Sequence, residues 1–291
     1  MIALFGPTGV GKTDVAVALA DRLRGRGRRP VAVGADALQV YAGLETLTGV
    51  ASPEQRARLE HRLVAFLPVT ATCSAGAYAK LAHAEIDRLL AAGAAPIVVG
   101  GTGLYLRAAL ADLALGPPPR AGVRERLEAE LAAGGPQALH ARLAELAPEA
   151  AARIRPADRT RVIRSLELLE QGVALDDRGQ LWTRATRHPT RLVGLTMDRA
   201  ALAQRISSRV DAMVAAGAVE EVRRADAAGA SRTARAALGF AELLEGDVEG
   251  MKTRTRRYAK RQLTWMRKLE GVELVDVTGR DPSEVAAALL P

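Results

Sequence analysis

The sequence predicts an α/β protein that combines a mostly parallel sheet with an inserted, small all-helical domain. A glycine-rich stretch, GPTGVGKT at 6–13, lies between an apolar run and a helical pattern. Further apolar runs alternate with helical patterns up to residue 115, which is typical of a parallel sheet covered by helices. The run GPPPR at 116–120 then breaks the alternation, and an almost purely helical pattern follows to about residue 172.

The first strand is predicted over residues 2–5 and the first helix over residues 14–23. Between them, the spacing of the glycines, lysine and threonine fits G-x-x-x-x-G-K-[ST], a turn whose backbone amides wrap an oligophosphate. A glycine turn that merely precedes a lysine is the alternative, which the strand before it and the helix after it disfavour. We therefore predict a three-layer core like that of P-loop NTPases, with Lys12 on the phosphates and Thr13 on a Mg²⁺ ion.

Two more strands are predicted to end at polar residues. VAVGAD at 31–36 ends in Asp36, and APIVVGGTGLY at 95–105 leads into Gly-Gly-Thr102-Gly, with a helical pattern between them. Because the carboxyl ends of parallel strands meet at one edge of a sheet, we expect the glycine-rich loop, Asp36 and Thr102 to face one cleft. By position alone, Asp36 fits a metal ligand, a general base or a helix cap.

The second half of the chain returns to the sheet. RLVGLTMD at 191–198 predicts a returning strand, residues 199–269 are rich in helical patterns, and a short strand follows at 272–277. We expect a catalytic core over 1–115 and 191–291, and a helical insertion over 116–190. Its last part, 173–190, is polar and broken, and we predict a mobile loop there.

The charge of the chain favours an acidic partner. Its 291 residues carry a formal charge of +8 and a pI of about 10.2, which fits nucleic acid, although a bias in base composition is an alternative source of the many arginines. The stretch 251–268 places eight basic side chains in one helical pattern with Tyr258 and Trp265.

Several classes of protein are disfavoured by the sequence. No stretch approaches 18 uninterrupted apolar residues, so we expect no membrane span, and a loop at residue 6 leaves no room for a signal peptide. The single cysteine, Cys73, excludes an intramolecular disulfide and a cysteine-based zinc cluster. We expect a cytoplasmic protein. The apolar strand at 97–99 ends in glycines rather than in the acid that nucleotide hydrolases and kinases use for Mg²⁺, which counts against an ATP-driven motor.

Seven motifs, in this order and spacing, resemble the tRNA dimethylallyltransferase family. They are GPTGVGKT, DALQVY, GGTGLY, ARIRPADRTRVIRSLE, QRISSRVDAMVAAGAVEEV, LGFAEL and AKRQLTWMRK. The resemblance implies transfer of a dimethylallyl group from its diphosphate to the exocyclic amine of the adenosine just 3′ of the anticodon, in tRNAs that read codons beginning with U. The base would be flipped into the cleft, and the glycine-rich loop would hold a diphosphate that leaves.

The resemblance also implies roles for individual residues. Asp36 would take the proton of the amine, and Thr102 and Lys12 would stabilise the charge that develops on the leaving diphosphate. The diphosphate ligands implied are Gly6, Thr8, Gly9, Gly11, Lys12, Thr13 and Arg209, with Mg²⁺ as cofactor on Thr13. The tRNA contacts implied are Asp36, Ala37, Leu38, Gln39, Arg161, Arg164, Gly239, Phe240, Lys260, Arg261, Gln262, Trp265 and Arg267.

For Trp265 and Tyr258, the i, i+7 spacing suits packing in the core as well as a stacking platform, and we favour the core for both. The partners implied are the tRNA anticodon stem-loop and dimethylallyl diphosphate, and we expect a monomer. An exposed charge on an arginine-rich helix is the alternative for Arg209.

Three positions depart from the family pattern. Ala37 stands where serine is common, Phe240 replaces a tyrosine, and 46–53 replaces a stretch that ends in lysine and proline. Three other functions stay open: prenyl transfer to free adenine nucleotides, a small-molecule ATP kinase, and a tRNA-binding protein without activity.

Overall fold

The computed structural model describes residues 1–175 and 181–290. In chain order, the described strands are β1 (Ile2–Phe5), β2 (Pro30–Gly34), β3 (Tyr41–Ala42), β4 (His61–Arg62), β5 (Leu67–Pro68), β6 (Ala95–Gly100), β7 (Arg191–Thr196) and β8 (Glu273–Asp276). The described helices are α1 (Lys12–Arg24), α2 (Glu45–Thr48), α3 (Pro53–Arg58), α4 (Ala75–Ala91), α5 (Gly103–Leu110), α6 (Val123–Leu146), α7 (Pro148–Arg153), α8 (Arg159–Leu169), α9 (Arg199–Ala215), α10 (Ala218–Ala227), α11 (Phe240–Leu244), α12 (Val248–Met266) and α13 (Pro282–Leu289).

A parallel sheet forms the centre of the larger unit. Its strand order is β4-β2-β6-β1-β7-β8, and every neighbouring pair runs parallel. A separate parallel pair joins β3 and β5. The predicted α/β class with a mostly parallel sheet is therefore confirmed.

Helices cover both faces of this sheet because its strands are apolar on both sides. Leu4 of β1 and Ile97 of β6 belong to a buried cluster that includes residues of α1 and α13. The next residue of β1, Phe5, points to the opposite face, where it meets the ring of Trp265 from α12 edge to face at 5.9 Å between centroids. These two apolar faces produce the layered core.

The register brings three strand ends to one edge. Phe5 at the end of β1 pairs with Gly100 at the end of β6, and Gly34 at the end of β2 pairs with Val99. The segments that follow these strands hold the glycine-rich loop, Asp36 and Thr102, so all three leave the sheet at the same edge, as parallel pairing requires.

The smaller unit, residues 114–180, contains α6, α7 and α8. Leu127, Leu143 and Val162 lie in its own buried cluster. Glu167 is fully buried there and accepts hydrogen bonds from the guanidinium groups of Arg124 and Arg164, so its charge is compensated.

The larger unit is formed by residues 1–113 and 181–291, so the division differs from the predicted boundary at 190. Residues 181–190, predicted to be part of a mobile loop, are held in the larger unit. Arg107 donates to the carbonyls of Leu181 and Ala185 at 3.0 Å each, and Arg187 pairs with Asp87 at 2.9 Å. A polar, broken composition does not reveal such anchoring, which depends on side chains distant in sequence. The part of the predicted loop at 176–180 lies outside the described residues.

Within the described residues, no helix has both the length and the apolar character needed to cross a membrane.

At Gly100, the end of β6 lies very close to the backbone that follows β2. A Cβ atom at this position would lie 2.0 Å from the carbonyl oxygen of Ala35. We expect Gly100→Ala to lower the free energy of unfolding by about 1–3 kcal/mol because backbone has to move, as in other overpacked sites. Urea unfolding measures the change. Gly25→Ala, at a helical φ with only ordinary contacts, is the matched control and should change stability little; equal midpoints for both variants would contradict the expectation.

Candidate active site

The glycine-rich loop joins β1 to α1 and has the backbone of an anion site. Gly9 and Gly11 adopt φ values of 84° and 96°, a left-handed conformation that side chains other than glycine rarely adopt. Gly11 is the cap of α1, whose first residues are Lys12 and Thr13. The first amides of a helix have no partner within that helix and carry a partial positive charge, so they can bind an anion.

Lys12 lies inside this loop. Its Nζ donates hydrogen bonds to the carbonyl oxygens of Gly6 at 2.9 Å and Pro7 at 3.0 Å. Burial lowers the pKa of Lys12 to about 8, and the nearby carboxylate of Asp36 partly opposes this shift. A bound anion would stabilise the ammonium and offset the effect of burial.

Asp36 and Thr102 are joined directly by a hydrogen bond. The Thr102 Oγ1 hydroxyl donates to Asp36 Oδ1 at 3.1 Å, and the amide of Leu38 donates to the same oxygen at 3.1 Å. The amide of Ala37 donates to Thr102 Oγ1 at 3.2 Å. The second carboxylate oxygen, Oδ2, accepts no hydrogen bond from the part of the chain that the structure describes, so it can receive a proton from a ligand.

Tyr258 of α12 completes this network. Its hydroxyl lies 3.3 Å from Thr102 Oγ1. Burial, with a further contribution from the charge of Asp36, raises the pKa of Tyr258 to about 12, so the phenol stays protonated and can donate to Thr102. The threonine proton is then directed to Asp36.

A second cation approaches from α9. Arg209 donates to the carbonyl of Gly49 at 3.2 Å, and burial lowers its pKa while the charges of Asp36 and Asp14 oppose that shift. Gly49 has a φ of 61°, a conformation that favours glycine, and a Cβ there would crowd the Arg209 guanidinium. Gln39 Nε2 donates to the same carbonyl at 3.1 Å.

The segment 46–53, which departs from the family pattern, is ordered around a buried carboxylate. Glu221 of α10 accepts from the amide of Thr46 at 2.9 Å and from the amide of Leu47 at 2.7 Å. These bonds satisfy the start of the short helix α2 and hold the turn that ends at Gly49.

One cavity of about 730 Å³ is lined by most of these groups, although Thr102 and Glu221 are not among its lining residues. Its polar walls include the glycine-rich loop, Asp36, Gln39 and Arg209. Its apolar walls are Leu38, Leu47, Val50, Ile206, Val210, Met213, Leu238 and Met251. A diphosphate with a short apolar chain matches such a lining, with its charge at the loop and its chain against the apolar residues.

Some of the other predicted ligands lie apart from the cavity surface. Gly6 packs beneath the loop, where a Cβ would come within 3.0 Å of the Leu195 carbonyl oxygen and the Val10 side chain. Phe240 is buried with the Arg235 guanidinium 5.5 Å from its ring centroid, and Gly239 packs against Met251. The Phe240 ring, as placed, has no open face for a base.

The predicted tRNA contacts on α12 and at its C-terminal cap, Arg267, fall into two groups. Lys260, Arg261 and Arg267 are exposed. Gln262 is buried at the wall of the cavity. Trp265 is half-buried: it packs on the ring of Trp182 at 4.7 Å between centroids and on Phe5, and it also lines a surface pocket with Lys260 and Arg261.

In the smaller unit, Arg161 is exposed and lies 3.5 Å from Asp158. Arg164 also donates to the carbonyls of Gly116 at 2.8 Å and Pro117 at 2.7 Å, so its guanidinium supports that unit from within.

Two residues of the site were missed in the sequence. Tyr258 was assigned to the core, yet its hydroxyl reaches Thr102. Arg205 lies one turn before Arg209 on α9, lines the cavity and comes close to Gly11. The i, i+4 spacing of Arg205 and Arg209 places both on one helix face and was the available signal. For Tyr258, the aromatic ring favoured a core position in the sequence analysis, whereas in the structure its hydroxyl group contacts the site.

Comparisons with known proteins find similar chains in one family. The family model described as IPP transferase matches residues 39–269. A curated relative from Thermobifida fusca, named tRNA dimethylallyltransferase, is 42% identical over 303 residues, covering 100% of this chain and 94% of the relative.

Two solved structures are also similar. The full-length tRNA isopentenylpyrophosphate transferase from Bacillus halodurans has a TM-score of 0.71 and 32% identity, covering 99% of this chain and 93% of that one. The tRNA isopentenylpyrophosphate transferase from Staphylococcus epidermidis has a TM-score of 0.65 and 31% identity, covering 94% and 92%.

The lowered pKa of Lys12 gives a prediction for anion binding. Below pH 8 the free protein carries the ammonium, whereas above pH 8 binding of an anion has to take up a proton. We therefore expect the affinity for inorganic diphosphate to fall above pH 8. Because binding takes up one proton, the affinity can fall by at most about tenfold per pH unit. Calorimetry from pH 7 to 9.5 measures it.

Lys12→Met should bind diphosphate more weakly. Its affinity should change with pH only as far as the ionisation of diphosphate itself requires, because the proton of Lys12 is absent. Lys80→Met, at an exposed position outside the cavity, should behave as the wild type does. Identical pH profiles for the wild type and Lys12→Met would refute the assignment.

Proposed function

The chain belongs to the IPP transferase family, and from this premise we propose that it transfers a dimethylallyl group from dimethylallyl diphosphate to a tRNA adenosine. The acceptor is the exocyclic amine of the adenosine on the 3′ side of the anticodon, in tRNAs that read codons beginning with U. The observation that carries the proposal is a single cavity in which a phosphate-binding loop faces a carboxylate held by Thr102.

Asp36 is the proposed general base. An adenine amine is a weak nucleophile because its lone pair is delocalised into the ring, so a base has to take its proton as the bond forms. The amine nitrogen bonds to the allylic carbon, the bond from that carbon to the diphosphate oxygen breaks, and one amine proton passes to Asp36. Oδ2 is available for this proton because the bonds from Thr102 and Leu38 both end at Oδ1.

The leaving diphosphate is stabilised by positive charge from two sides. Lys12 lies within the glycine-rich loop, and Arg209 lines the same cavity from α9. Both side chains are substantially desolvated, which strengthens their interaction with an anion. Thr102 is proposed to assist the departure of the diphosphate through its hydroxyl, as the family resemblance implies.

Mg²⁺ fits the donor set around Thr13. This ion usually binds one or two protein oxygens and takes its other ligands from phosphates and water. Thr13, in the first turn of α1 beside the glycine-rich loop, would hold the ion together with oxygens of the diphosphate. When bound, Mg²⁺ would neutralise part of the charge of the leaving group.

The acceptor is proposed to be tRNA because α12 presents an exposed basic surface. Lys260, Arg261 and Arg267 lie on this surface, which suits a polyanion better than a single nucleotide. The adenosine has to leave its stack to enter the cavity, and Gln39, which lines that cavity, is the proposed contact for its edge. We further propose that the protein acts as a monomer in the cytoplasm.

Transfer of labelled dimethylallyl to an anticodon stem-loop tests the proposal. We expect the wild type to transfer the label and Asp36→Asn to lower kcat by about 10²–10⁴-fold, because the amine keeps its proton without a base. Asp211→Asn, an exposed carboxylate that pairs with Lys252, is the matched control and should keep wild-type kcat. Modification of free AMP alone, or ATP-dependent formation of ADP, would support the nucleotide transferase or the kinase instead.

Salt dependence tests the nature of the acceptor. Each phosphate contact contributes about 0.7–0.9 to the slope of log affinity against log salt. We expect Arg267→Ala to lower this slope for the stem-loop by about one contact while donor binding is unchanged. Arg280→Ala, an exposed arginine near α13, should leave the slope as it is; a shallow slope in the wild type would contradict tRNA as the acceptor.

A further inference from the structure

Gln262 is the most fully used polar side chain near the cavity. Although α12 is strongly basic, this residue is only 5% exposed. Its Oε1 accepts a hydrogen bond from the amide of Thr8 at 2.8 Å, and its Nε2 donates to the carbonyl of Gly101 at 2.7 Å. Both functions of the side-chain amide are therefore satisfied by backbone groups.

The two bonds connect segments with different tasks in the proposed reaction. Thr8 lies in the glycine-rich loop after β1, and Gly101 directly precedes Thr102 after β6. We propose that Gln262 is a positioning residue that fixes the diphosphate loop relative to the Asp36–Thr102 pair. This inference rests on the proposed function, because it assigns Gln262 to the alignment of the donor with the base.

The chemistry of the side chain explains why glutamine suits this position. Only an amide side chain offers an acceptor and a donor side by side without charge. Glutamate would keep an acceptor for the Thr8 amide but would turn a carboxylate oxygen toward the Gly101 carbonyl. Leucine would remove the partner of the Thr8 N–H and that of the Gly101 oxygen, and two lost hydrogen bonds weaken the connection between the loops.

The packing around Gln262 leaves it little freedom to move. A Cβ on Gly101 would lie 2.5 Å from Gln262 Nε2, so the backbone approaches the side chain as closely as glycine permits. One helical turn earlier, Tyr258 contacts Thr102 Oγ1 at 3.3 Å. The same face of α12 therefore holds Thr102 directly and both neighbouring loops through Gln262.

Alignment at this level matters for group transfer. The glycine-rich loop sets the position of the leaving diphosphate, while Thr102 sets that of the base. A displacement of about 1 Å between reacting groups can cost a factor of about 100 in rate. Loss of the Gln262 bonds should therefore reduce the rate of transfer more than it reduces binding of the donor.

The test compares Gln262→Leu and Gln262→Glu with the wild type, and Gln137→Leu, an exposed glutamine of the smaller unit, serves as the control. Three measurements are made: kcat and KM for stem-loop prenylation, calorimetric binding of inorganic diphosphate, and thermal unfolding. For Gln262→Leu we expect kcat to fall about 10–100-fold and diphosphate affinity to fall about fivefold. Gln262→Glu should keep diphosphate affinity within about twofold but have a low kcat, because it holds Thr8 and repels Gly101.

This separation distinguishes positioning from general support of the fold. A purely structural role would lower the melting temperature and reduce rate and affinity in parallel in both variants, and that result would overturn the inference. Wild-type kcat and affinity in Gln262→Leu would also overturn it. If the wild type transferred no prenyl group, the proposed function would fail, but diphosphate binding would still decide the role of Gln262. A loss of diphosphate affinity in Gln262→Leu but not in Gln262→Glu would support that role. Equal diphosphate affinities in the wild type and both variants would reject it.

Discussion

The parallel pairing of β1, β2 and β6 is the constraint on which the site depends. Parallel neighbours end at the same edge, and here the register places the last residues of β1 and β6 side by side. The glycine-rich loop, Asp36 and Thr102 each follow one of these strands. The glycine-rich loop, Asp36 and Gly101, which directly precedes Thr102, thus come to line one cavity although they lie far apart in the chain.

The carboxylate of Asp36 affects the pKa values of the other titratable groups at this edge of the sheet. Burial lowers the pKa of Lys12 and that of Arg209, and the charge of Asp36 opposes both shifts. Burial, with a further contribution from the same charge, raises the pKa of Tyr258, which keeps the phenol protonated beside Thr102. A diphosphate entering this cavity would meet cations that burial has left incompletely compensated, which favours binding of the anion next to the base.

Helix α12 has two faces that serve different parts of the molecule. Its exposed face carries Lys260, Arg261 and Arg267, whereas its buried face carries Gln262 and packs against the sheet through Trp265. The clustering of basic residues in the sequence of this helix predicted the exposed face. A helix that contacts a polyanion on one side and holds catalytic loops on the other can align the two substrates of a transfer reaction.

The sequence by itself determined the sheet class, the glycine-rich loop and the placement of Asp36 and Thr102, because strand periodicity and loop motifs are local in the chain. Tertiary structure decided which other residues reach the cavity. The side chain of Gln262 forms hydrogen bonds with the backbone of Thr8 and Gly101, and the hydroxyl of Tyr258 contacts Thr102.

Residues 181–190 were likewise fixed by partners that no local pattern displays, such as Arg107 and Asp87. The physical reason is common to these cases: a polar side chain is placed by the unsatisfied donors and acceptors around it once the chain has folded, and these come from segments that only the fold brings together.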